Sequence, residues 1–209
     1  MTDATIIVPR FHFTEPRHNL PTLCKGRASA EDRFSVAFAR AYWAQAPEIH
    51  ARSPHKTLAL VREIPVNGYG IADLLAVAWT RLEHEYFPSA EAFAAVARPT
   101  CRAFEMKLSN WQKALSQASR YRNFAHQAIV VLPPDVCAHA MKAIDTFKLV
   151  RVGLWSFDPE TTRIRILFTP RRHRPRSLKY WFQSLEKAAK ASRPILPIRE
   201  TDKSRRAEH

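Results

Sequence analysis

Cysteine is scarce. Cys24, Cys101 and Cys137 are scattered, odd in number, and never form a CxxC pair. This argues against a disulfide framework or a cysteine-rich zinc site; buried, inert thiols in a reducing compartment are expected. No run approaches the roughly 18 apolar residues of a membrane helix, so no membrane partner is expected. Met1 to Arg10 lacks the charged-then-apolar design of an export signal, which makes a cytoplasmic location the expectation. The histidines show no HExxH pattern, and no GxxxxGK[ST] loop is present, so any ATP-driven step would need a partner protein. No internal repeat is visible. Acids are outnumbered, with 19 Asp and Glu against 33 Lys and Arg, for a net charge of +14. Such a field attracts polyanions, nucleic acid being the commonest, with affinity drawn largely from counterion release. A basic surface or tail that only aids solubility is the plainer alternative.

What is present suits one α/β domain. The chain has 209 residues, 46% of them apolar. Residues 1–28, broken by Pro9, Pro16 and Pro21, read as an N-terminal arm. Ser29 opens a helix, with Asp32 placed to return a capping bond, and Pro47 is expected to end it. Leu58 to Val66 alternates as a strand, Asn67-Gly68 is a hairpin signal, and Ile71 to Trp79 forms the second strand. Residues 80–99 read as an insertion carrying a short helix after Ser89, with Glu83, Glu85 and Glu91 on a solvated face. Cys101 to Leu108 is the third strand. Trp111 to Phe124 is a helix, and Gln127 to Leu132 a buried, parallel strand. Asp135 is expected to cap a helix to about Phe147. Val150 to Phe157 and Arg163 to Phe168 are further strands, and Ser177 starts a last helix. The domain thus covers 29–191, and 192–209 reads as a charged, disordered tail.

Three side chains stand out. Asp73 follows Gly70-Ile71-Ala72 and precedes an apolar run, while Glu105 and Lys107 share a face of the third strand because strand side chains alternate. Acids inside such strands cost free energy to desolvate unless something uses them. Gln117 and Tyr121, four apart, share one helical face. The alternative is a turn acid at Asp73 and a cross-face ion pair between Glu105 and Lys107 on a solvated sheet.

The set Gly70-Ile71-Ala72-Asp73, Glu105-Met106-Lys107 and Gln117-Ala118-Ser119-Arg120-Tyr121 resembles the PD-(D/E)XK nuclease superfamily, the last segment resembling the QxxxY motif of its RecB-like branches. The resemblance covers about residues 29 to 135. It departs from the pattern in the insertion between Asp73 and Glu105. It implies a restriction-endonuclease-like αβββαβ core, a central mixed sheet flanked by helices, here with extra C-terminal strands and a helix. It also implies a Mg²⁺-dependent nuclease (Mn²⁺ can substitute) acting on DNA. Asp73, Glu105 and the Met106 backbone carbonyl would then hold the metal, with Lys107 and Gln117 completing the catalytic set.

Tyr121, Lys113, Arg120, Arg171, Arg172, Arg174 and Arg176 are the candidate nucleic-acid contacts, and Glu31 and Glu63 candidate auxiliary acids. A homodimer is an expectation where both strands must be cut. The competing readings are a non-cleaving nucleic-acid-binding accessory protein of the same fold, and a basic protein–protein adaptor.

Overall fold

The computed structural model describes residues 11–12, 17–18, 29–49, 57–80 and 86–191. Most of the expected N-terminal arm, the whole C-terminal tail, Cys24, His50, His55, Glu83, His84 and Glu85 lie outside the described residues.

Two short strands come first, β1 (Phe11–His12) and β2 (Arg17–His18). Helix α1 (Ala30–Ile49) opens with a reciprocal capping box: the Asp32 N–H donates to Ser29 Oγ (3.0 Å) and the Ser29 N–H to Asp32 Oδ2 (3.2 Å). Pro47 does not end it, as its position had suggested. The helix runs two residues further, because a proline in the last turn forfeits one backbone bond without a following turn to kink.

Strands β3 (Thr57–Val66) and β4 (Gly70–Trp79) form the expected hairpin, with Gly68 and Gly70 taking the positive φ of its turn. The insertion carries β5 (Tyr86–Phe87) and α2 (Ala90–Ala97), whose cap Ser89 accepts from the Ala92 N–H. Next are β6 (Thr100–Met106), α3 (Trp111–Tyr121, capped by Asn110) and β7 (Gln127–Leu132).

The expected helix from Asp135 to Phe147 is two helices, α4 (Pro134–Met141) and α5 (Ile144–Val150), separated at Lys142-Ala143. Asp135 lies in the first turn of α4, not at its cap. The apolar Val150, read as the start of a strand, closes α5; Arg151 then takes a left-handed conformation that turns the chain into β8 (Gly153–Asp158). Strand β9 (Arg163–Phe168) and helix α6 (Leu178–Ala191) complete the described chain.

The protein is an α/β structure around one mixed, open sheet in the order β2-β3-β4-β6-β7-β8-β9, six long strands with two-residue β2 at one edge. β6, β7 and β8 run parallel, and the other long strands pair antiparallel. β7 lies in the middle with all six residues buried, which accounts for its unbroken apolar sequence. Successive parallel crossovers of one hand place their helices on one face. There α3, α4, α5, α6 and α2 pack over Val61, Leu75, Ala103 and Val130. The other face is covered by α1, whose Phe34, Phe38 and Tyr42 meet Phe104, Trp155 and Phe157 in edge-on and tilted ring contacts. Gln45 on α1 also donates to the Thr162 carbonyl in the β8–β9 turn, at 2.9 Å.

One irregularity in the hairpin bears directly on the placement of Asp73. Leu58 and Leu60 face α1 while Ala59 and Val61 face the helical layer, but Ile64 and Val66 join the helical layer too. In β4, Leu74, Ala76 and Ala78 face α1 and Leu75, Val77 and Trp79 the other side, yet Ala72 lies with the latter. The alternation of both strands is reset at one level, where Glu63 stands opposite Asp73. Pairing passes from Arg62↔Leu74 to Ile64↔Ala72 and skips this pair. Glu63 has φ 55°, a left-handed conformation uncommon for a non-glycine residue and found here inside a strand. The sequence alternation that put Ile64 with Leu58 and Leu60 fails for this reason.

Candidate active site

Asp73 lies on neither face of the sheet. β4 and β6 are paired up to Leu74↔Phe104 and then part. Asp73 projects into the opening and replaces the missing main-chain acceptor: its Oδ2 accepts the Met106 N–H at 2.7 Å. The N–H and C=O of one strand residue project to the same side, so the Met106 carbonyl is directed toward the same opening.

Glu105, at the end of β6, is 1% exposed on the helical-layer face. Its Oε2 is hydrogen-bonded to the Tyr121 hydroxyl, which also lies 2.6 Å from the Ile71 carbonyl. Its Oε1 is buried with no hydrogen-bond donor, and the Lys107 ammonium stands 3.6 Å away, an ion pair longer than a hydrogen bond. Lys107 also reaches Glu31, in the first turn of α1, at 3.3 Å. Lys107 thus stands between Glu105 on the sheet and Glu31 on α1.

The electrostatics follow from that crowding. Burial raises the Glu105 carboxyl, and the neighbouring Asp73 charge adds to it; Tyr121 and Lys107 oppose both, and the balance is a pKa pushed up to about 7. Burial also raises Asp73, against the Met106 N–H and the charge of Lys107. For Lys107 burial acts downward, but Glu105, Asp73 and Glu31 together outweigh it and hold the ammonium above its ordinary value. The Tyr121 phenol is pushed up by burial and then by Glu105, so it stays a neutral hydroxyl.

Other candidates fall elsewhere. Gln117 is half-buried one turn before Tyr121 and makes no hydrogen bond to the acids or to Lys107; its amide oxygen is buried with no donor. Tyr121, expected to touch nucleic acid, is 1% exposed and turned inward, so it positions Glu105 and offers nothing to a ligand outside. Lys113 and Arg120 are exposed on α3, and Arg120 Nη2 would lie 4.0 Å from a Cβ added at Gly70, at the start of β4.

Glu63 is exposed and paired with Arg62 at 3.2 Å, so it is not an additional acid in the opening. Arg171, Arg172 and Arg174 are exposed, and Arg172 lies near Arg102 and Tyr42. Trp111 packs on Phe147, and Trp181 on Phe182 and His126.

Arg62 was missed. Its Nε donates to Ser35 Oγ on α1 at 3.4 Å, and its charge is a minor counterweight to the burial that raises Asp73. The signal was there: an arginine in step with Leu58 and Leu60 on the face that turns inward.

Among the described residues no three His, Cys, Asp or Glu side chains converge as a metal cage. Two carboxylates, one with a buried oxygen lacking a donor, make instead the sparse donor set that suits Mg²⁺, which keeps waters and takes further oxygens from a bound phosphate. No described helix is long and apolar enough to cross a membrane. No family model matches this chain, and it has no match among curated proteins or among solved structures.

Proposed function

We propose that the protein is a metal-dependent nuclease of the PD-(D/E)XK kind that hydrolyses phosphodiester bonds in DNA. One observation carries the reading. Asp73, Glu105 and Lys107 meet where β4 and β6 part, and Glu105 Oε1 is buried there with no hydrogen-bond donor. The helix–strand–strand–strand–helix–strand order from α1 to β7, with 80–99 as an insertion, supports the restriction-endonuclease-like core.

Asp73, Glu105 and the Met106 carbonyl would hold Mg²⁺ or Mn²⁺. The bound ion would supply Lewis-acid polarisation of the scissile phosphate and a lowered pKa for an attacking water. The chain's own residues account for the rest. Tyr121 fixes the rotamer of Glu105, and the Met106 N–H fixes that of Asp73. Lys107, kept protonated by three carboxylates, faces the reacting phosphate and offsets the charge developing on it. Binding a cation and a phosphate there gives Lys107 a new partner, so Glu31, half exposed, can release it.

The test compares the native chain with Lys107→Ala on plasmid and single-stranded DNA, with Mg²⁺ or Mn²⁺ and with chelator. Metal-dependent cutting lost in the variant supports the reading. DNA binding without cutting by the native chain under every condition points to a non-cleaving accessory protein, and absence of binding at moderate salt to an adaptor.

A further inference from the structure

A second group of titratable side chains gathers where the end of α3, the cap of α5 and the 171–176 segment meet. Arg122 directly follows α3, and its Nη1 donates to the Val150 carbonyl at 2.9 Å. Arg151 is the next residue along, in the left-handed cap position. Two backbone bonds pin the basic segment to this corner: the His173 N–H donates to the His126 carbonyl (3.2 Å) and the Arg176 N–H to the Arg122 carbonyl (3.2 Å). Arg122, Arg151, His173 and Arg176 are thereby gathered from three parts of the chain. The charges felt at His173 are those of the three arginines. Among the described residues none of the four takes part in an ion pair.

Arg122 Nε and His173 Nε2 are both buried and lack a hydrogen-bond partner. A buried donor left unmade is costly, and so is the crowding of like charges. One anion relieves both. We propose that Arg122, Arg151, His173 and Arg176 form a phosphate-binding site separate from the opening between β4 and β6. Arg122 Nε–H and, once protonated, His173 Nε2–H donate to phosphate oxygens, while His173 Nδ1–H donates to the Arg174 carbonyl, 3.0 Å away. Arg151 and Arg176, both exposed, supply charge from the rim.

Burial holds His173 below its ordinary value, and the three arginines add to this against the Arg174 carbonyl, so binding draws a proton onto it. That the phosphate belongs to a nucleic-acid backbone rests on the function proposed above; the existence of the site does not.

The experiment titrates the ¹⁵N-labelled full chain with inorganic phosphate at constant ionic strength and follows Arg122 Nε–Hε and the His173 ring by NMR. Both should shift together and saturably, and the His173 midpoint should rise by about one pH unit as an anion replaces like-charged neighbours. Arg151→Ala combined with Arg176→Ala should weaken the response severalfold while the amide spectrum elsewhere is kept. A labelled oligonucleotide, followed by anisotropy, gives the second arm. It should compete with phosphate, and the double variant should reduce the salt slope of its binding by about two, one for each lost phosphate contact. No saturable shift at either residue overturns the site. A phosphate shift without competition by the oligonucleotide keeps a site for free phosphate and overturns its assignment to the nucleic-acid path, whatever the outcome of the cleavage assay.

Discussion

Tyr121 and Arg122 are consecutive residues, yet they serve regions of opposite electrostatic character. Tyr121 turns inward to the opening between β4 and β6, where the buried Glu105 and the half-buried Asp73 crowd each other and one lysine answers them. Arg122 turns to a corner where three arginines and a histidine gather. Both regions leave a buried polar atom without a hydrogen-bond partner: an acceptor, Glu105 Oε1, in the first, and a donor, Arg122 Nε, in the second. The net positive charge of the chain is therefore not spread evenly. It is set against a small acidic opening that would attract a cation.

The largest expected effect is on catalysis at the acidic region. Asp73→Asn keeps an oxygen for the Met106 N–H but removes the charge, so metal-dependent cleavage should fall about 10²–10³-fold, the scale of losing one preorganised electrostatic contact. A melting temperature close to that of the native chain would show that the loss is chemical, and unchanged cleavage would break the comparison at its acidic end.

Glu105→Gln sharpens it through pH. The folded pKa of about 7 lies above the ordinary 4.5, so between these values the folded protein holds a proton that the unfolded chain has released. That contribution is fully present below pH 4.5 and is lost as the pH rises through about 7. In metal-free buffer at pH 8 the variant should therefore be more stable than the native chain by on the order of 3 kcal/mol, given roughly 1.4 kcal/mol per pKa unit. The difference should vanish near pH 4.5. Mg²⁺ should stabilise the native chain more at pH 8 than at pH 6, because the cation prefers the ionised carboxylate. Thermal melts at the two pH values, with and without Mg²⁺, check both statements.

Tyr121→Phe should cost about 1–2 kcal/mol, since Glu105 Oε2 and the Ile71 carbonyl lose their shared hydroxyl in a buried place. Its role is positional, so kcat should fall with little change in KM. A selective rise in KM would mean that Tyr121 reaches the substrate after all. The smallest effect on stability belongs to the basic corner. Arg151→Ala should shift unfolding by less than about 0.5 kcal/mol because its side chain is exposed. A larger loss in urea melts would show that the corner is a structural joint and not a binding surface.

Much of this arrangement was legible in the sequence for local reasons. Asn67-Gly68 forces a tight reversal, and the unbroken Ala128 to Leu132 run can only be a strand covered on both faces. Asp73, Glu105 and Lys107 were identifiable because charged groups inside apolar strands need a use. Non-local geometry was not legible. The reset opposite Glu63 inverts an alternation that the sequence continues without a break. The division of 134–150 into two helices falls at Lys142-Ala143, where the sequence carries no helix breaker. Tyr121 was found by spacing, but four-residue spacing fixes a face of a helix and not its direction, so the turn of its hydroxyl toward Glu105 was not legible. The basic corner joins residues about fifty apart, and a histidine beside arginines in sequence gives no sign that its ring nitrogen is buried.

Helix α1 stands alone among the described helices on its side of the sheet, and it carries Glu31 in its first turn. A partial opening of that helix would free Lys107 from Glu31 while β4 and β6 kept Asp73 and Glu105 in register. Amide exchange should then fall into two classes, faster along the first turns of α1 and slowest in β7, which is sandwiched between two strands and buried throughout. The lysine would be gated by breathing of the outer layer, so cleavage could respond to anything that grips the start of α1 without touching the sheet beneath.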